Sequence, residues 1–357
     1  MSKCFITKLP SSVDNDNLPV LGQLRINWLK NSNLTNNNNR AVNLGTTDSI
    51  TVKVYGAHFT DSTLTNNLGD TKTITNGDGL VTVYVSNDAD AVLTIDNKYS
   101  LTTLDFNNAK SVYFDIEDIK YCTNFIKLGL PNSSVTGYIS AVSNLTKLVH
   151  MDLSGSSVTG DISALSKLTN ITLIYLSNSK VSGDISVLSK LTKLYQLKIS
   201  YTSIGGDISA LSKLTNITIL EMNETKVSGA VDSLAGLINC TGDMMLTGTA
   251  LSGDMSKIPD KVRFITMSRR KISTNFTWTT NGRQNATLLA MEGSIPFDTA
   301  SMDNMLIDQA TCTVSPNATD SWQKIISVNG TRTSASDAAV TAIQNKGITI
   351  IGVTKQA

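Results

Sequence analysis

Four aspartates recur at one place in a repeating text: Asp161, Asp184, Asp207 and Asp254, each after a glycine and before Ile-Ser or Met-Ser. If the copies stack as neighbouring strands, adjacent carboxylates stand about 5 Å apart. Like charges that close oppose folding unless they are screened or paired. Three chemistries fit the column. The carboxylates can hydrogen-bond their own turns or be compensated by Lys167, Lys190 and Lys213, which follow later in the same copies. They can bind a cation. Two of them can serve as the acid and base of a hydrolase, although a repeated column offers no unique acid and base.

Other chemistry-bearing residues are sparse. His58 and His150 have no Cys or His partner at metal-ligand spacing and read as surface residues. The sequence contains no GxSxG, HExxH or Walker-type loop. Cys4, Cys122, Cys240 and Cys312 show no CxxC spacing. The last three fall at apolar positions and read as buried thiols acting as small hydrophobes, with a disulfide or metal role as the alternative. The expectation is a protein that is not an enzyme and needs no cofactor and no metal.

The elements that must position the aspartates follow from six glycines in step: Gly137, Gly160, Gly183, Gly206, Gly229 and Gly253, four intervals of 23 residues and one of 24. A fixed period of this length means a solenoid of stacked units. One unit reads Leu148, Met151, Leu153, Ser156, Val158, Gly160, Ile162, Leu165, Leu168, and the next two match it position by position. This text, LxxLxLxxSxVxGxIxxLxxL, resembles the leucine-rich repeat family, in the variant carrying a GxI step after the strand; the match runs from about Phe125 to Met255. The LxLx alternation suits a half-buried strand. The repeated glycine suits a turn at positive φ. The family's turn asparagine is replaced by Ser133, Ser156, Ser179, Thr202, Thr225 and Thr249; these read as a hydroxyl ladder or as ordinary turn residues.

On each strand the residues flanking the buried position point outward. The expected binding face therefore holds His150, Asp152, Leu173, Tyr175, Gln196, Lys198, Tyr201, Ile219 and Glu221, with Tyr175, Tyr195 and Tyr201 expected to cluster there. Tyrosine joins apolar area to a hydrogen-bonding tip, which suits interfaces. Packing against other copies of the chain is the competing use of this face.

The fold class expected is mostly β: a leucine-rich-repeat solenoid with a 23-residue period, a β-rich N-terminal region and a C-terminal helix–strand cap. Residues 1–45, with Pro10, Pro19 and an Asn-rich run, read as an extended anchoring arm whose deletion should leave the solenoid folded. Residues 46–110 alternate apolar and polar residues, with turns at Asn76-Gly77-Asp78-Gly79 and Asn87-Asp88, and cap the solenoid, which fills residues 111–315. The segments KVRFITMSRRKIS, ATLLAMEGSI and MDNMLIDQATCTV read as further strands. Residues 316–357 form the cap: Ser334 and Asp337 make a capping-box pattern, Val340 and Ile343 share a helix face, and Gly347 stops the helix before a strand.

Net charge is +1 and 17% of residues are charged, which gives nucleic-acid binding no electrostatic support. No run of 18 apolar residues exists to span a membrane, and the N-terminus lacks a signal-type apolar core. The text KCFITKLPSSVDNDNLPVLGQLRINW resembles start segments of virion proteins of crAss-like Bacteroidales phages. That resemblance implies a head or tail fibre located in the virion. Its partners would be other virion proteins through residues 1–45, further copies of itself as a trimer, and a host-surface glycan or protein. The alternative is a bacterial leucine-rich-repeat adhesion or interaction protein, in the cytoplasm or at the cell surface.

Overall fold

Alternation of apolar and polar residues in the first third of the chain builds short strands: β1 (Leu24–Trp28), β2 (Ala41–Thr46), β3 (Ile50–Tyr55), β4 (Ala57–Phe59), β5 (Asp70–Ile74), β6 (Val81–Val85), β7 (Ala91–Ile95), β8 (Leu101–Phe106) and β9 (Val112–Tyr113). The computed structural model describes residues 23–28, 41–46, 48, 50–55, 57–59, 70–74, 81–85, 91–106, 112–267, 276–279, 283, 289–314 and 324–356. Consecutive strands alternate between two antiparallel layers, one ordered β5-β3-β7-β1-β9 and the other β8-β2-β6-β4. Leu24, Ile26, Val52, Leu93 and Ile95 of the first layer share a buried core with Leu44, Leu101, Leu104 and Phe106 of the second. This is a β-sandwich.

The sandwich corrects the expected arm. β1 lies between β7 and β9, and β2 between β6 and β8. Residues 1–45 therefore supply two interior strands, and the boundary at 45/46 falls inside β2. Deleting them would leave both layers unpaired at their centres. Their alternation was short enough to pass for an isolated stretch beside the Asn-rich run. Residues 1–22, the run itself, Cys4 and the turns at 76–79 and 87–88 lie outside the described residues.

β8 also pairs in parallel with β10 (Lys127–Gly129), so sandwich and solenoid share one strand. From there the coils add β11 (His150–Asp152), β13 (Leu173–Tyr175), β15 (Gln196–Lys198), β17 (Ile219–Glu221), β19 (Asp243–Met245) and β21 (Phe264–Thr266), all parallel. The central residues Leu128, Met151, Ile174, Leu197, Leu220, Met244 and Ile265 point inward and are fully buried. The coils of β11 to β19 each carry a second strand that the sequence reading missed: β12 (Thr159–Asp161), β14 (Lys180–Asp184), β16 (Ser203–Asp207), β18 (Lys226–Ala230) and β20 (Ala250–Ser252) form their own parallel sheet. Val181, Ile204, Val227 and Leu251 are its buried residues. The six repeat glycines follow with φ between +99° and +109°, which turns the chain from this sheet into a short 3₁₀ turn.

Most of the hydroxyl column is local stapling rather than a ladder between coils, and Ser179 Oγ is buried without a hydrogen-bond partner. Ser156, Thr202 and Thr225 donate to the carbonyls of Leu153, Ile199 and Met222, three residues back, at 2.7–2.8 Å. An amide ladder does exist, on the outer turn. Asn170, Asn216 and Asn239 each donate to the preceding coil's Thr146, Thr192 and Thr215 carbonyls, and Lys147 and Lys193 donate to Asn124 and Asn170. Cys122, Cys240 and Cys312 are buried and form no disulfide among the described residues. Burial pushes the first two up to about 12.

After β21 the same sheet continues through β22 (Ala290–Pro296), β23 (Ile325–Arg332) and β24 (Thr349–Lys355). Their returns are α-helical: α1 (Thr299–Thr311) and α2 (Asp337–Asn345). The expected strand at MDNMLIDQATCTV is thus a helix. Met302, Met305, Leu306 and Gln309 are buried at helical spacing, and Asp298 caps it by accepting from Ser301 N at 2.8 Å. The helix–strand unit at the end is present, but not the capping box. Ser334 lies in a 3₁₀ turn capped by Thr333, and α2 begins at Asp337. Gly347 has φ +76° after the helix.

Candidate functional site

The outward residues of the first sheet line up in two columns by strand pairing. One runs Lys127, His150, Leu173, Gln196, Ile219; the other runs Gly129, Asp152, Tyr175, Lys198, Glu221. Neighbouring coils place these side chains in contact across the columns. The His150 ring meets Tyr175 edge-on at 5.7 Å. The Tyr175 hydroxyl donates to Gln196 Oε1. Lys198 Nζ stands 5.4 Å over the Tyr175 ring and 2.8 Å from Glu221 Oε1. Lys127 pairs with Asp105 at 2.6 Å. Asp152 accepts from Ser154 N at 2.9 Å and so fixes its own turn.

The result is a half-buried polar band with a tyrosine at its centre. Burial, and then Lys127, lower the His150 pKa, so its ring favours the neutral form. Burial raises the Tyr175 phenol. His150 Nε2 is buried without a hydrogen-bond partner. Leu173 and Ile219 flank the band, half-buried. Eight of the nine expected face residues share this band.

Tyr201 stands apart. It follows β15 at the turn, while Tyr195 immediately precedes β15, so an extended strand separates the two and the expected tyrosine cluster does not form. Tyr201 belongs instead to a second column at positive φ: Asn132 (56°), Gly155 (66°), Asn178 (59°), Tyr201 (58°), Glu224 (52°) and Gly248 (74°). Asn and Gly adopt this conformation readily; a bulky aromatic does not. Tyr201 is 57% exposed. The signal was in the text, where the column reads Asn, Gly, Asn, Tyr, Glu, Gly.

The aspartate column lies off this face and does the first of its three candidate jobs. Asp161, Asp184, Asp207 and Asp254 accept from the backbone N–H of Ser163, Ser186, Ser209 and Ser256 at 2.8–2.9 Å, capping the 3₁₀ turns. Those backbone hydrogen bonds, with the serine hydroxyls, hold Asp161, Asp184 and Asp207 below the usual carboxylate range. Among the described residues, no group of three or more His, Cys, Asp or Glu side chains converges on a metal position. No helix among them is long and apolar enough to cross a membrane.

No family model matches the sequence, and no curated protein matches it. Solved structures do share the architecture. An internalin from Listeria monocytogenes matches at 17% identity over 68% of this chain and 72% of its own, with a TM-score of 0.47. The PEPR1–AtPEP1 structure matches at 18% identity over 72% of this chain and 35% of its own, also at 0.47. The Arabidopsis receptor kinase HAESA, solved with the peptide hormone IDA and the co-receptor SERK1, matches at 20% identity over 62% of this chain and 36% of its own, at 0.44. The chain spans about a third of these two plant structures. The leucine-rich-repeat solenoid is read from this chain's own stacked parallel coils.

Proposed function

We propose that this chain is a non-enzymatic binding protein that takes up a protein partner on the strand face between His150 and Glu221. The observation that carries the reading is Tyr201. It holds a large, exposed aromatic side chain in a backbone conformation that costs about 1–2 kcal/mol for such a residue, at a position where four other coils use Asn or Gly and one uses Glu224. Strain retained at an exposed aromatic beside an ordered polar band is best explained by contact with a partner. Tyr175, held by His150, Gln196 and Lys198, supplies a preorganised anchor on the strand face itself. The aspartates, the chain's most regular candidate for catalysis, are engaged as turn caps, which supports binding over chemistry.

The test is selection of peptides from a random display library against the full chain, followed by affinity measurements on variants. Lys198→Glu and Tyr201→Asn should weaken most selected peptides at least about tenfold. Lys226→Glu, on the second sheet, should leave them unchanged. Selected peptides indifferent to both face variants would refute the reading.

The narrower role, a trimeric virion fibre docked through its N-terminus and touching a host surface, rests on the N-terminal resemblance. Of that text only Gln23–Trp28 are described, and Leu24–Trp28 form β1 of the sandwich. Any docking arm in this reading is therefore the segment before residue 23.

A further inference from the structure

The capping column has an aromatic exception. Where Asp161, Asp184 and Asp207 precede their 3₁₀ turns, the coil before them has Tyr138, and its turn Ile139–Val142 has no side-chain cap. In the following coils the carboxylate fills the space above the next coil's glycine: a Cβ on Gly183, Gly206 or Gly229 would lie 2.7, 2.4 or 2.7 Å from Asp161, Asp184 or Asp207. Above Gly160 the Tyr138 ring lies instead, 3.5 Å from where a Cβ would be. The exchange opens a cleft of about 260 Å³ that Tyr138, Gly160, Asp161, Ser163, Ser166 and Lys167 help to line. Tyr138 is 61% exposed, and so its ring forms an open wall.

The geometry points to a second binding site, separate from the strand face: a subsite for one neutral pyranose ring of a glycan, stacked on Tyr138. Three features select that ligand. An exposed aromatic ring presents a negative π-face, which accepts the row of polarised C–H bonds on one face of a pyranose. A carboxylate, an ammonium and serine hydroxyls around it supply the mixed acceptors and donors that vicinal sugar hydroxyls need. The opposite charges of Asp161 and Lys167 offset each other, which favours an uncharged ring over an anionic one. The cleft is at the small end for ligand sites, the size of a single ring, and too small for a helix or a strand. Because the site lies on the second sheet and its 3₁₀ turns, it stands or falls independently of the strand-face proposal.

The internal repeat supplies the variant. Tyr138→Asp installs the residue that the following coils hold, so it should cap its turn and fold with an unchanged or higher melting temperature. Tyr138→Phe keeps the ring. The isotope-labelled chain is titrated with the methyl glycosides of glucose, galactose, mannose and N-acetylglucosamine, and backbone amide shifts are followed. At least one glycoside should move the amides of residues 138–143 and 160–167 at millimolar concentration. Tyr138→Phe should retain the response, and Tyr138→Asp should weaken it at least about tenfold. The proposal is overturned if no glycoside moves these amides, if the shifts lie elsewhere, or if Tyr138→Asp binds as well as the parent.

Discussion

One parallel sheet runs from β8 to β24, but the chain returns from strand to strand in two ways. Between β11 and β21 each return contains a second strand, a glycine at positive φ and, in most coils, an aspartate-capped 3₁₀ turn. Beyond β22 it contains α1 or α2 instead. The strands stay parallel across the change, although the β22–β23 and β23–β24 pairings each carry a register shift. Phe264 pairs with Ala290, Met291 with Ile326, and Ile326 with Ile350, parallel throughout. The period is therefore a property of the return and not of the sheet. A glycine–aspartate turn fixes the length of a coil; a helix, whose length follows its own buried face, does not.

The largest effect expected tests the core of the regular coils. Leu176 is fully buried and Tyr175, one residue away, faces outward. Leu176→Asp places a charge in an apolar interior and should lower stability by more than about 4 kcal/mol, melting neighbouring coils with it. Tyr175→Asp should cost about 1 kcal/mol, through the lost Lys198 and Gln196 contacts. Equal melting shifts for the two variants would show that the coils are not built as described.

Three glycines sharpen the comparison between the two kinds of return. A Cβ on Gly293, at a bulge in β22, would lie 1.4 Å from Met267 O. Backbone cannot retreat as a side chain can, so Gly293→Ala should exceed about 4 kcal/mol. At Gly183 the obstacle is the Asp161 carboxylate, which can swing away, leaving mainly the backbone strain of φ +109°. That variant should cost about 1–3 kcal/mol. Gly347, after α2, has φ +76° and open space, so its alanine variant should cost about 1 kcal/mol. Urea unfolding midpoints give the order; a Gly183 effect above that of Gly293 would contradict it.

The same contrast explains what the sequence made legible. Where six copies stood in line, the inward residues, the glycine turn and the columns of the strand face could all be read by comparing one copy with the next. The second sheet escaped because Val-x-Gly-Asp is too short for alternation to declare itself beside the stronger LxLx. The αL column escaped because Tyr201 and Glu224 break its Asn/Gly text, although that break is what marks the site. Beyond β21 each element occurs once, with no second copy to compare; the i, i+3, i+4 spacing of Met302, Met305 and Leu306 was the helical signal that the expected strand overlooked. In the N-terminal sandwich, β1 finds its partners some seventy residues away in β7, a pairing that no local pattern contains.

Acid should weaken the regular coils. The carboxyls of Asp161, Asp184 and Asp207 are held below their ordinary value of 3.8 by hydrogen bonds from the serines they cap. A lowered folded-state pKa contributes stability above the unfolded value that is lost as pH falls through the folded one. Asn caps about as well as Asp without titrating. The triple variant Asp161→Asn, Asp184→Asn, Asp207→Asn should therefore melt slightly below the parent at neutral pH and lose less stability on acidification below about pH 4. Parallel melting-temperature curves would show that the caps carry no acid sensitivity.

The smallest effect on stability is the one that bears most on function. Tyr201 occupies a left-handed position at φ 58°, which its counterpart in the preceding coil, Asn178, occupies at 59°. Both side chains are exposed, so exchanging them changes backbone strain and little else. Tyr201→Asn should raise stability by about 0.5–1 kcal/mol, because Asn tolerates the left-handed region that Tyr resists. Asn178→Tyr should lower it by a similar amount. If Tyr201 serves a partner, the first variant becomes more stable and binds less, while the second gains nothing in binding. That opposition separates a contact residue from a tolerated accident of sequence: an accident would let Tyr201→Asn gain stability with binding intact. Should Tyr201→Asn lose stability instead, the ring is packing against its own fold, and the strain is offset within the chain rather than by a partner.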